Sequence, residues 1–191
     1  MIQSLNKLNE EQSVIEEARS LLGLDWQKMD QEIRVQLDTD VGLINSISHY
    51  IINSGGKRLR PLMVLLSSKA CGIDEHNRSR ILAAAMIELL HLATLIHDDV
   101  VDEAEKRRGF LVLNKIWKNK VAVLMGDFLF SKVLINLIKL KDHDALELLS
   151  HTAEKLSAGE ILQIEKSLSK SMTEDVYYNM IYQKTASLIS T

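Results

Sequence analysis

The sequence predicts an all-α fold, and three observations carry that prediction. Apolar residues recur at three- and four-residue spacing along nearly the whole chain. Runs that alternate apolar and polar residues between turn formers, the mark of strands, are absent. Breaks are few, with 8 Gly and 1 Pro in 191 residues.

Taken in order, a first helical pattern covers 10–22 and a longer one 25–53. Ser54, Gly55 and Gly56 close the second, and Pro61, the only proline, suits the first turn of a helix over 61–71. Cys71-Gly72 reads as its C-terminal stop. The next helix, 76–101, is apolar on almost every side, as a helix buried among helices must be. Arg108-Gly109 reads as another stop, followed by a short helix over 112–115 and longer ones over 121–140 and 144–168. Asp142 and Asp144 form a helix-start pair, and Ser171 to Glu174 make a capped start for a last helix from 173 onward. No repeat or composition break divides the chain, so residues 1–191 are expected to form a single domain. The final Ser187-Leu188-Ile189-Ser190-Thr191 continue an apolar helical pattern with no terminating residue, which reads as a cut rather than an ending.

Composition excludes several classes. With 46% apolar and 26% charged residues the chain is neither disordered nor low in complexity. A single cysteine, Cys71, rules out an intrachain disulfide and fits a reducing compartment, so a cytoplasmic location is expected. The first twenty residues carry acids throughout and lack the basic start and apolar stretch of a signal peptide. The longest apolar region, 81–96, is interrupted by Glu88 and His91, so no membrane span is expected. With 23 Lys+Arg against 26 Asp+Glu the net charge is −3, which gives no reason to expect nucleic acid as a partner. Any phosphate binding must be local.

The polar residues of the apolar helix over 76–101 and the turn that follows it are therefore informative. At 100° per residue His91, Asp98 and Asp102 fall within about 40° of one another, while Asp99 sits beside that stripe. Carboxylates four apart on one face repel each other. Two readings follow: a hard cation such as Mg²⁺, which takes one or two carboxylates and keeps its other positions for water and phosphate, or the solvated mouth of a helix end. Lys106, Arg107 and Arg108 come next; they complement the helix dipole or, beside a metal, grip a diphosphate. A second basic cluster, Gly55-Gly56-Lys57-Arg58-Leu59-Arg60-Pro61, flanks a helix start that favours an anion, or is a solvated glycine loop. His97 lies off the stripe and is expected to be packed or hydrogen-bonded.

Together these residues resemble the trans-isoprenyl diphosphate synthases, the polyprenyl synthetase family. The likeness rests on G-G-K-R-L-R-P at 55–61, E-L-L-H-L-A-T-L-I-H-D-D-V-V-D at 88–102, R-R-G at 107–109, M-G-D-F-L-F at 125–130, G-E-I-L-Q at 159–163 and K-T-A at 184–186. The resemblance implies an isoprenoid-synthase-type helical bundle. It implies that Asp98 and Asp102 hold Mg²⁺, with Mn²⁺ an alternative, and that Asp99 supports them. It further implies that Arg107 contacts an allylic diphosphate, that Lys57, Arg60, His91 and Arg108 hold isopentenyl diphosphate, and that Lys184, Thr185 and Gln163 face the allylic group. Ala93 and Thr94, small where short-chain synthases carry bulky groups, imply a long product of octaprenyl type, as used for quinone side chains. A homodimer is also implied, and Tyr178, Ile181, Leu188 and Ile189 are expected to be exposed apolar positions.

The family's second D-D-x-x-D motif has no match after Asp102, so the bundle is expected to be incomplete at its C-terminus. Three readings remain: a truncated prenyltransferase, a non-catalytic subunit that pairs with a complete synthase, and a helical module that binds metal and diphosphate without transfer chemistry.

Overall fold

The structure is a computed structural model that describes residues 13–73 and 77–191. The predicted helix starts at residues 10 and 76 lie outside these. Helical residues 13–20 form α1, followed by α2 (Leu24–Leu37), α3 (Gly42–Asn53), α4 (Leu59–Ala70) and α5 (Arg78–Val101). A two-stranded hairpin, β1 (Lys106–Arg107) and β2 (Phe110–Leu111), leads into α6 (Leu113–Leu140), α7 (His143–Ser169) and α8 (Glu174–Ile181). A π-helical turn (Tyr182–Ala186) and α9 (Ser187–Ser190) follow. Helix dominates as predicted, and the chain forms two compact units, Met1–Val133 and Leu134–Thr191.

In the first unit α5 packs against α2 and α4. Met29, Ile33 and Leu37, four residues apart on α2, are almost fully buried, as are Leu65 of α4 and Ala84, Met86, Leu89 and Leu90 of α5. Arg80 and Asp25 tie α5 to α2 by a buried ion pair at 2.5 Å. In the second unit the π turn, α8 and α9 pack on α7, and the buried positions Leu149, Thr152, Leu156 and Gly159 form the stripe that receives them.

Three sequence expectations give way. The single helix over 25–53 is two helices, because the Asp38-Thr39-Asp40 segment supplies its own partners: Asn45 Oδ1 accepts from the Thr39 amide at 3.1 Å and Thr39 Oγ1 accepts from the Val41 amide at 2.9 Å. Arg108-Gly109 does not end a helix. Arg108 (φ 53°) and Gly109 (φ 86°) are the two central residues of the hairpin turn, whose register pairs Arg107 with Phe110. Helix α5 ends at Val101, as the pattern over 76–101 predicts. Glu103 is left-handed (φ 50°), and the Ala104 amide donates to the Asp99 carbonyl at 3.1 Å, a Schellman closure built on a non-glycine residue. Third, Leu188 is buried and Ile181 half-buried, whereas Tyr178 and Ile189 are exposed as expected.

Local signals elsewhere hold. Asp142 caps α7 and Thr173 caps α8 through their side chains, and the predicted break between the helices over 112–115 and 121–140 survives as a non-helical Lys118 inside α6. By length and composition alone α5 and α6 are apolar enough to cross a membrane; 67% of the apolar window of α5 is buried inside the protein, as in a core helix, against 39% for α6.

Candidate functional site

The hairpin sends its two arginines to different places. Arg107, on β1, forms a fork with Asp99 of α5: its Nε and Nη2 donate to Asp99 Oδ1 at 2.9 and 2.7 Å. Asp99 is 7% exposed. This pair holds the Arg107 guanidinium above its ordinary pKa, with burial opposing and the charges of Asp98 and Asp102 assisting. Arg108, at the turn, crosses Gly56 so closely that a Cβ there would collide with the guanidinium, and its Nη1 donates to the Gly55 carbonyl at 2.5 Å. Tyr50 of α3 anchors the hairpin, donating to the Leu111 carbonyl at 2.7 Å and packing edge-on against Phe110 and Trp117.

Arg108 thereby joins a cavity of about 660 Å³ lined by Lys57, Arg58 and Arg60 from the α4 start, Glu88 and His91 from α5, and Arg19 from α1. Burial and the charges of Arg60, Arg108 and Arg107 push His91 down to about 3. A neutral imidazole results, so its Nε2 accepts from Arg60 Nη1 at 2.9 Å and steers that guanidinium. Glu88, 7% exposed, is driven the other way: burial raises its pKa while Arg58, Arg60 and Arg108 restrain the rise. Burial also pulls Arg60 below its ordinary value, against the attraction of Glu88. Arg58 pairs with Asp30 of α2. All four residues assigned to isopentenyl diphosphate, Lys57, Arg60, His91 and Arg108, therefore line one cavity.

Asp98 and Asp102 occupy the last turn of α5, and Asp102 is its C-cap. Asp99 is turned to Arg107, and Asp98 and Asp102 stand four residues apart. Among the described residues no three His, Cys, Asp or Glu side chains converge on one point. Two carboxylates at this spacing suit Mg²⁺ or Mn²⁺, which takes one or two carboxylates and shares its shell with phosphate and water, so the donor set fits. One turn before, Ala93 is buried, and half-buried Thr94 donates to the His91 carbonyl at 2.8 Å. His97 is held as expected, with Nε2 3.1 Å from the Val123 carbonyl and its ring over Gly126 of the M-G-D motif.

In the second unit Lys184 Nζ donates to Gln163 Oε1 at 3.0 Å and forms an ion pair with Glu160. Gly159 makes this possible. A Cβ there would meet the Lys184 amide nitrogen at 3.0 Å and Gln183 Cβ at 2.9 Å, so only glycine lets the π turn settle on α7. Thr185 lies in the same turn. Single-turn π segments recur at functional positions because the extra residue re-aims a side chain. Sequence reasoning missed the parts played by Glu160, Glu88 and Arg19. Glu88 carried a signal, as a charge inside an apolar run; Arg19 carried none.

The polyprenyl synthetase family model matches residues 41–191. The octaprenyl diphosphate synthase of Escherichia coli is 37% identical over 174 residues, which cover 91% of this chain and 53% of that protein. Two crystal structures share the fold. A decaprenyl diphosphate synthase from Rhodobacter capsulatus superposes with a TM-score of 0.87 at 33% identity, covering 92% of this chain and 54% of the other. A polyprenyl synthase from Caulobacter crescentus, complexed with calcium and isoprenyl diphosphate, gives 0.86 at 34%, covering 91% and 52%. The chain thus spans about half the length of the curated relatives it matches.

Proposed function

The chain belongs to the polyprenyl synthetase family, and on that premise we propose that it carries the isopentenyl diphosphate side of a long-chain trans-prenyltransferase. The reaction joins isopentenyl diphosphate to an allylic diphosphate: the allylic C–O bond breaks, the isopentenyl double bond attacks the allylic carbon, and a proton leaves. One observation carries the reading: Lys57, Arg60, His91 and Arg108, drawn from three separate segments, line a single cavity.

Within that cavity Lys57, Arg60 and Arg108 hold the isopentenyl diphosphate. His91 stays neutral and aims Arg60 at it. Asp98 and Asp102 hold the metal, which when bound supplies Lewis-acid stabilisation of the departing diphosphate. Arg107 fixes Asp99 and is assigned to the allylic diphosphate, as the resemblance implies. Lys184, Thr185 and Gln163 are assigned to the allylic diphosphate, as the resemblance implies. Thr94, half-buried one turn before the aspartates, leaves room for a growing chain and supports a long product; Ala93, in the core, acts by its small volume. Exposed Ile135 and Ile138 on the last turns of α6 support association with a second copy.

The test is an assay with farnesyl diphosphate, labelled isopentenyl diphosphate and Mg²⁺. Long products from the unaltered chain, lost in Asp98→Ala, support the reading. No product from the chain alone, with a change in the products of a complete synthase when the chain is added, moves it to a partner subunit. Binding of both diphosphates without product under either condition would leave only the non-transferring module.

A further inference from the structure

The basic cavity has a wall that the family resemblance did not assign. Arg19 of α1 lies upstream of residue 41, where the family match begins, yet it lines the cavity with Lys57, Arg58, Arg60 and Arg108. Its Nη2 donates to the Lys57 carbonyl at 2.7 Å. Its guanidinium stands over the Trp26 ring, 4.6 Å from the centroid, which fixes the plane of the fork.

Two details point to a missing anion. Arg19 Nε and Arg60 Nε are both buried without an acceptor, and both side chains line this one cavity. Buried guanidinium donors are normally paired, so two orphans on one cavity call for an acceptor that the described residues do not supply. The lining also holds five cationic side chains, Arg19, Lys57, Arg58, Arg60 and Arg108, of which Arg58 is matched by Asp30, against two carboxylates, Glu16 and Glu88. A diphosphate provides both negative charge to balance this lining and acceptor oxygens for the Arg19 and Arg60 donors.

We propose that Arg19 is a further diphosphate-binding residue, one that donates to a phosphate oxygen while bracing the Lys57 backbone. This rests on the reading of the cavity given above. The N-terminal helix is on this account part of the binding site and not only packing around it.

Calorimetric titration with inorganic pyrophosphate in EDTA isolates the basic cavity from any metal-dependent site. The full 191-residue chain is compared with Arg19→Ala, Arg19→Gln, Arg19→Lys and Arg60→Ala. Arg19→Gln keeps a donor for the Lys57 carbonyl and loses the charge. It is therefore expected to bind as weakly as Arg19→Ala, each about tenfold weaker than the unaltered chain, as losing one charge-assisted hydrogen bond implies. Arg19→Lys should regain part of the loss. Full affinity in Arg19→Gln beside weak binding in Arg19→Ala would reduce Arg19 to a brace and overturn the proposal. Unchanged binding in every Arg19 variant, with weakened binding in Arg60→Ala, overturns it and leaves the cavity reading standing. No binding by the unaltered chain removes both. Should Arg19→Ala unfold, Lys against Gln decides: equal affinity overturns the proposal, stronger binding by Lys supports it.

Discussion

The two groups of cations in this chain are treated in opposite ways. In the first unit Arg60 gains a neutral imidazole for a neighbour and keeps an unpaired Nε, and the surrounding cavity holds more positive than negative side chains. In the second unit Lys184 is already matched, with a carboxylate from Glu160 and an amide oxygen from Gln163. Surplus buried charge is tolerable only where a ligand of opposite sign is to be bound; a matched cation is stable by itself and must be aimed rather than filled. The difference separates a cavity pre-set for an anion from a side chain pre-set in position.

The largest expected effect breaks the first half of that contrast. Arg60→Ala removes a charged donor and leaves His91 without its partner. Charge-assisted bonds are each worth roughly 1.5–3 kcal/mol, so pyrophosphate affinity should fall about a hundredfold. Titration in EDTA measures it, and an affinity within a factor of about three of the unaltered chain would show that the cavity does not rely on this guanidinium.

Acid should act on the same cavity. His91 is held near 3 in the folded state against an ordinary 6.5. A depressed value means that the folded state resists protonation: the contribution is fully present above about pH 6.5 and is lost as pH falls from there towards 3. Glu88, raised by burial, runs the other way and stabilises the fold as it becomes protonated. The urea midpoint should therefore drop between pH 7 and pH 5, less so in His91→Gln, which keeps an acceptor for Arg60, and more steeply in Glu88→Gln. Parallel curves for all three proteins would mean that neither group is as isolated from water as the cavity implies.

How much of this was legible depends on how local the cause is. The caps at Asp142 and Thr173 were readable because a side chain and an amide three residues on settle them. The Lys57, Arg60, His91 and Arg108 set was readable only as motifs; their meeting in one cavity comes from the packing of α4 on α5 and from a hairpin. That hairpin was hidden because strands of two residues carry no period, and Arg108-Gly109 fits a helix stop as well as a turn. The break after Leu37 was hidden because its partner, Asn45, lies in the following helix. Arg19 reads as one more solvated helix arginine until Trp26 and the Lys57 carbonyl are placed beside it. Glu160 stood within a quoted motif, but its partner arrives more than twenty residues later through a π turn that propensity does not announce.

The smallest expected effect tests the second half of the contrast. The side chains of Glu160 and Lys184 are 13% and 27% exposed, between a surface pair and a buried one. Glu160→Gln keeps an acceptor of the same size and removes only the charge, so the loss in folding free energy should be about 1 kcal/mol, above the value of most exposed pairs and below that of a fully buried one. If the carboxylate aims Lys184, the variant should also raise the KM for farnesyl diphosphate severalfold with little change in kcat, because the ammonium then shares its time between Gln163 and solvent. A lower KM would mean that Glu160 competes with the substrate for Lys184 instead of directing it. Lys184 would then join the cations of the first unit as a charge waiting for an anion, and the distinction between filled and aimed sites would disappear.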